Sequence, residues 1–223
     1  MKYFTAAAMM AAVLAGATSA QAEAMPSTTS WTGFHVGAHA GYAWSDTSSA
    51  YTNPALSSFD VNMKPAGEIG GVQAGYDYQL PNNIVLGIET DISLSNVSDT
   101  IHDSLGSTVH GGNQSITSRT EYSGSIRARV GYAIGNCLPY ITGGYAYSHS
   151  RISATDGPLS TDVDFSGWAI GGGADYALGE NVSVRAEYVY ADFGSKTIFP
   201  GQAYESKSEP TSSAVRIGVN YKF

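Results

Sequence analysis

The chain has 223 residues, 43% hydrophobic and only 13% charged, with 26 glycines and 15 tyrosines. Glycine disfavours helix and tyrosine favours pleated surfaces, so this composition excludes a mostly helical protein. A single cysteine, Cys137, excludes an internal disulfide framework and a cysteine-based zinc cage. A formal net charge of -8 excludes nucleic acid as a partner, because phosphate binding needs clustered Lys and Arg.

Residues 1–22 read as a secretory signal peptide. Lys2 supplies the basic start, Ala6 to Ala17 the apolar stretch, and Ala20-Gln21-Ala22 the small-residue cleavage site, with the cut between Ala22 and Glu23. That apolar stretch falls well short of the roughly 20 residues a spanning helix needs. Residues 23–223 form one domain and contain no run of 18 apolar residues.

Period-two alternation runs through this domain instead, and in a strand the two sets of residues face opposite sides. Near 31–44, Phe34, Val36, Ala38, Ala40, Tyr42 and Trp44 alternate with His35, Gly37, His39 and Gly41. Near 66–80, Val72, Ala74, Tyr76 and Tyr78 alternate with Gln73, Gly75 and Asp77. Near 84–94, Ile84, Leu86, Ile88, Ile92 and Leu94 oppose Glu89, Asp91 and Ser93, and near 119–134, Tyr122, Ile126, Ala128, Val130 and Tyr132 oppose Ser125, Arg127 and Arg129. The segment 139–148 is strand-like, but either Tyr140 and Thr142 or Ile141, Tyr145 and Tyr147 could face outward. Near 165–178, Trp168, Ile170 and Tyr176 alternate with glycines and Asp175; near 182–192, Val184, Ala186, Tyr188 and Tyr190 oppose Arg185 and Glu187. The last strand, 213–223, sets Val215, Ile217, Val219, Tyr221 and Phe223 against Arg216, Gly218, Asn220 and Lys222.

Eight strands follow, joined by three short turns, around 81–83, 135–138 and 179–181, and four long polar loops, around 45–65, 95–118, 149–164 and 193–212. This alternation predicts an all-β fold: an eight-stranded antiparallel up-and-down transmembrane barrel with short periplasmic turns and long extracellular loops. A soluble β-sandwich is the alternative, with its apolar face packed inside and its polar face in water. Two features favour the barrel. The polar faces are poor in lysine and rich in glycine and paired charges, which suits a narrow interior. The aromatics also form two rings: Tyr76, Tyr78, Tyr132, Tyr176, Tyr221 and Phe223 near the turns, and Tyr42, Trp44, Tyr122, Trp168, Tyr188 and Tyr190 near the loops.

With the strands aligned by their turns, Glu89, Asp91, Arg127, Arg129, Glu187 and Arg216 collect about 13 to 18 Å from the periplasmic rim, at mid-membrane, and Arg185 is expected to join their network. Charges at that depth are costly unless paired, so a hydrogen-bonded network is expected. It is read as a polar plug rather than as the filter of a conducting pore, because an eight-stranded barrel has room only for its own side chains. Catalytic and cofactor motifs are missing: there is no G-x-S-x-G or H-E-x-x-H pattern, and Gly171-Gly172-Gly173 lies within a strand with no helix after it. No enzyme, cofactor or metal is expected. His35 and His39 are four residues apart on a strand, about 13 Å, too far to share a metal. His102, His110 and His149 lie in or beside the loops.

Gly124-Ser125-Ile126-Arg127-Ala128-Arg129-Val130-Gly131-Tyr132 with Leu138-Pro139-Tyr140-Ile141-Thr142-Gly143-Gly144 resembles the central block of the small outer-membrane proteins of alphaproteobacteria, described as outer-membrane immunogenic, porin-family or hemin-binding. So do Trp31-Thr32-Gly33-Phe34-His35-Val36-Gly37, the run Arg185 to Gly194, and the ending Val215 to Phe223. The resemblance implies an outer-membrane location, lipid and lipopolysaccharide as surroundings, and recognition of Phe223 by the barrel-assembly machinery. The expected role is structural, with loops presented at the surface. The alternatives are a small porin and a receptor binding hemin or a host molecule through its loops. Monomer and trimer both stay open.

Overall fold

Alternation with a two-residue period can satisfy its backbone only by pairing strands, and the computed structural model pairs them all the way round. It describes residues 29–53, 56–103, 114–154, 160–198 and 206–223. The signal segment with its Ala22–Glu23 cleavage site, and His110, lie outside them. The strands are β1 (Gly33–Asn53), β2 (Leu56–Met63), β3 (Ala66–Gln79), β4 (Ile84–Asp103), β5 (Gln114–Tyr132), β6 (Cys137–Ala154), β7 (Ser160–Ala177), β8 (Val182–Asp192), β9 (Lys196–Ile198) and β10 (Ser206–Lys222).

Every neighbour is antiparallel, and β10 returns to pair with β1 from His35↔Lys222 to Tyr51↔Ser206, closing the cylinder. Eight strands build the wall. β2 and β9 are the outer ends of two of them. β1 pairs with β3 from Gly33↔Asp77 to Trp44↔Ala66, then with β2 from Thr47↔Met63 in the same register. Lys64 and Pro65 lie between β2 and β3, and Ser45 N–H still donates to the Pro65 carbonyl at 2.8 Å. β8 and β9 are separated by Phe193, Gly194 and Ser195, where Gly194 takes a φ of +65°. The strands therefore run further into the loops than the alternation predicts. Above the membrane the outward face meets water, so Ser, Thr and Asp continue the ladder without an apolar period.

The three turns fall where expected. Asn83 adopts φ +65° in the first, and Gly135 φ +58° in the second, beside an Ile134↔Cys137 bridge. Facing is clear on all the wall strands. Ile88 is 59% exposed and Ile217 66%, whereas Arg127 and Asp175 are 1% exposed. An apolar exterior over a charged interior reverses the order of a soluble core and excludes the sandwich. In 139–148, Tyr140 and Thr142 point inward and Ile141 and Tyr145 outward, which settles the register that sequence alone left open. The aromatic rings sit on the exterior: Tyr42, Trp44, Tyr76, Tyr78, Tyr122, Tyr132, Trp168, Tyr176 and Tyr221 are exposed. Tyr188 and Tyr190 are half-buried, packed beside Trp44 and Trp168 at centroid distances of 6.3 and 5.7 Å.

Ile126, 51% exposed on the outer face of β5 between Tyr122 and Tyr132, tests the sidedness directly. Ile126→Arg should lower folding free energy in phospholipid bilayers by about 2–4 kcal/mol, measured by reversible guanidinium unfolding.

Candidate functional site

Inward positions on eight strands converge on a lumen too narrow for bulk water, so the charges there must find partners among themselves. Arg127 on β5 reaches across to β8, donating from Nη1 to Glu187 Oε1 at 2.9 Å and from Nη2 to Oε2 at 3.2 Å. Its Nη2 also lies 3.4 Å from both Glu89 Oε1 and Asp91 Oδ1 on β4, and its Nη1 donates to Thr142 Oγ1 at 2.9 Å. Arg185 on β8 spans the cylinder to Glu89 at 2.6 Å and holds Asp175 on β7 at 2.8 Å. Arg216 on β10 donates to Asp91 Oδ2 at 3.0 Å, and Ser125 donates to the other oxygen of that carboxylate.

Arg129, also on β5, sits nearer the periplasmic turns. It donates to Asp175 at 2.8 Å and to Asp77 through both Nε and Nη2. All seven charges predicted from the alternation lie in this lumen, each at most 9% exposed. Asp77 and Asp175 belong with them and were not singled out from the sequence. Their signal was available, since both occupy inward positions of their strands, but they lie closer to the turns than the expected band.

Histidine, amide and hydroxyl side chains complete the lining. His35 places Nε2 3.2 Å from Glu89 and Nδ1 3.6 Å from Asp77. His39 sits 2.6 Å from Gln73 Oε1 and 2.8 Å from Ser93 Oγ, and Gln73 donates to Asn220 at 2.6 Å. The two histidines thus serve separate networks. The Tyr140 ring lies under two guanidinium groups, 4.5 Å from Arg129 and 5.4 Å from Arg185, a stacking that suits a desolvated cation.

Glycine makes the space. In register, Glu89 lies opposite Gly75, Arg127 opposite Gly144, Arg185 opposite Gly218 and Arg216 opposite Gly41. A Cβ at Gly171 would come within 3.2 Å of Arg127 Nη1, and one at Gly173 within 2.9 Å of the Tyr140 hydroxyl. The triple glycine is thus spacing for lumen side chains, not a phosphate cradle.

Of the loop histidines, His149 is described in full. It lies at the outer end of β6, stacked on Tyr122 at 4.9 Å with Nδ1 2.6 Å from Asp164. His102 lies on β4 opposite Ser115.

A closed wall of this kind, apolar outside and ionic inside, defines an integral outer-membrane β-barrel protein. Residues 8–223 match the outer membrane protein beta-barrel domain family, and the chain belongs to it. It is 35% identical to the 31 kDa outer-membrane immunogenic protein of Brucella melitensis biotype 1, over 99% of this chain and 95% of that protein. It is 30% identical to the 25 kDa outer-membrane immunogenic protein of Brucella abortus, over 87% and 80%, and 28% identical to a 22 kDa outer membrane protein of Rhizobium leguminosarum, over 87% and 79%. Among solved structures it superposes on OprG of Pseudomonas aeruginosa with a TM-score of 0.53 at 15% identity, covering 88% of this chain and 99% of that one. Neisserial surface protein A gives a TM-score of 0.50 at 19% identity, covering 86% and 98%. These two share the fold. The protein is located in the outer membrane.

Arg129→Met strips Asp77 of its guanidinium partner inside a dry wall. It should destabilise the barrel by about 3–5 kcal/mol, and the double change with Asp77→Asn should recover part of that loss, read as guanidinium unfolding midpoints in bilayers.

Proposed function

We propose that this protein is a non-conducting, non-enzymatic outer-membrane barrel that anchors the envelope surface and holds its outer loops toward the environment. The observation that carries the reading is the set of cross-lumen ion pairs, Arg127 to Glu187, Arg185 to Glu89, Arg129 to Asp77 and Arg216 to Asp91. They occupy the only path a solute could take through an eight-stranded wall. The charged lumen acts as a plug that tethers opposite walls. The immunogenic relatives carry names consistent with surface presentation, and the same role is proposed here for the loops of this chain.

Lipid and lipopolysaccharide surround the exterior, and the barrel-assembly machinery is the partner proposed for Phe223. Its ring is 69% exposed at the end of β10, packed on Tyr221 at 5.1 Å and near Phe34 at 6.0 Å, while its N–H donates to the Phe34 carbonyl at 2.9 Å. An aromatic end so displayed on the lipid face is available to a recognition factor before the barrel closes.

Purified protein in planar bilayers should give no stable channel, and liposomes carrying it should not swell in sugar or amino-acid solutions. Deletion of the gene should raise detergent sensitivity of the envelope. Swelling would instead favour a small porin, and saturable hemin binding lost on replacing His102, His110 and His149 would favour a receptor. Removing Phe223 should leave export intact and lower the folded, heat-modifiable fraction in the outer membrane severalfold.

A further inference from the structure

The charge network ends at Arg129, Asp77 and Asp175, and between these residues and the periplasm lies a layer of different chemistry. Val85, Leu138 and Ala177, from the turn-side ends of β4, β6 and β7, and Ala133, the residue after β5, pack into one apolar cluster. The fifth member of that cluster is Trp31, which belongs to no wall strand. It precedes β1, yet it is only 6% exposed, while Val85 and Leu138 beside it are 0% exposed. An indole placed among inward-facing residues at the turn end of a barrel stands in its mouth.

The segment that carries Trp31 is tied across that mouth. Trp31 N–H donates to the side-chain oxygen of Gln79 at 2.9 Å, and Gln79 N–H donates back to Thr32 Oγ1 at 2.9 Å. Lys222 on the other side of β1 donates its ammonium to the Ser30 carbonyl, and Thr29 Oγ1 donates to Asn136 in the β5–β6 turn at 3.3 Å. Residues 29–32 therefore bond to β3, β10 and the β5–β6 turn. The indole Nε1 is buried without an acceptor, so packing and the backbone bonds, not a hydrogen bond of its own, hold the ring. On its β7–β8 side lies a small half-open pocket of about 30 Å³, lined by Trp31, His35, Asp77, Arg129, Ala177 and Asn181. That volume admits a water molecule or two.

We propose that residues 29–32 form a strap and that Trp31 is a stopper, closing the periplasmic mouth independently of the charge network. The two seals lie in series. The ionic one fixes the shape of the mid-membrane lumen, and the apolar one keeps periplasmic water from Val85, Ala133 and Leu138. Sealing by the indole needs only its bulk. Phenylalanine therefore retains much of it and alanine none.

Thiol access reports on the apolar seal separately from the ionic one. In full-length protein carrying Cys137→Ser and Val85→Cys, folded in bilayers and checked by heat-modifiable migration, a small methanethiosulfonate reagent should react slowly. Adding Trp31→Ala should raise the labelling rate at least tenfold, and Trp31→Phe by less than threefold. Gln79→Ala, which loosens the strap and leaves the indole in place, should raise it severalfold and serves if Trp31→Ala does not fold. Fast labelling with Trp31 present, or equal rates with tryptophan, phenylalanine and alanine, would overturn the stopper. Channel activity of the unaltered protein would overturn the non-conducting reading and the stopper together, whereas fast labelling without channel activity would overturn the stopper alone.

Discussion

The structure depends on one constraint: a cylinder of eight strands encloses just enough volume for its own inward side chains, and no bulk solvent. Carboxylates and guanidinium groups placed there lose their hydration, so each needs a partner within hydrogen-bonding distance. The partners are drawn from distant parts of the wall. Arg185 on β8 meets Glu89 on β4 across the cylinder, and Arg127 on β5 meets Glu187 on β8. Backbone hydrogen bonds tie each strand to its neighbours, whereas these ion pairs tie strands that never touch.

The same constraint explains the abundance of glycine. An arginine or glutamate that lies inward needs room over the adjacent strand, and a residue without a side chain at the paired position supplies it. Gly144 opposite Arg127 and Gly218 opposite Arg185 are examples. Gly87 is another, because a Cβ there would strike the Asp77 carboxylate. Glycine weakens a strand in isolation. Here that cost is offset by fitting large charged groups into a small cross-section. Composition that reads as poor strand former and composition that reads as lumen spacing are therefore the same residues.

How much was legible in the sequence follows from which environment each position meets. Within the membrane the outward face touches lipid and must be apolar, so alternation identifies the wall strands and the facing of Arg127, Arg129, Glu187 and Arg216. Toward the loops the apolar period fades, so β9 and the upper halves of β4, β5 and β6 leave little trace, while the short alternation of Phe59, Val61 and Met63 in β2 lies in a stretch otherwise read as loop. The stretch 139–148 is ambiguous for a different reason. Tyr140 is a large ring that points inward because it stacks against Arg129, so apolar bulk occurs on both faces. Trp31 shares the parity of His35 and His39 in the expected strand near 31–44, but the period gives only its facing and not that the chain before Gly33 leaves the ladder and crosses the mouth.

Ionic pinning and apolar closure make different demands on the wall. Ion pairs need fixed register, since moving one strand by a residue turns its charges toward lipid. The apolar layer of Val85, Ala133, Leu138, Ala177 and Trp31 needs only volume, because dispersion and burial have no direction. The demanding network lies at mid-membrane, where strand pairing is continuous on both sides. The tolerant layer occupies the turn end, where filling the mouth needs bulk rather than directed partners. Widening such a barrel into a channel would require more strands, not fewer charges: removing one partner leaves the other buried and unpaired in a space that water cannot fill.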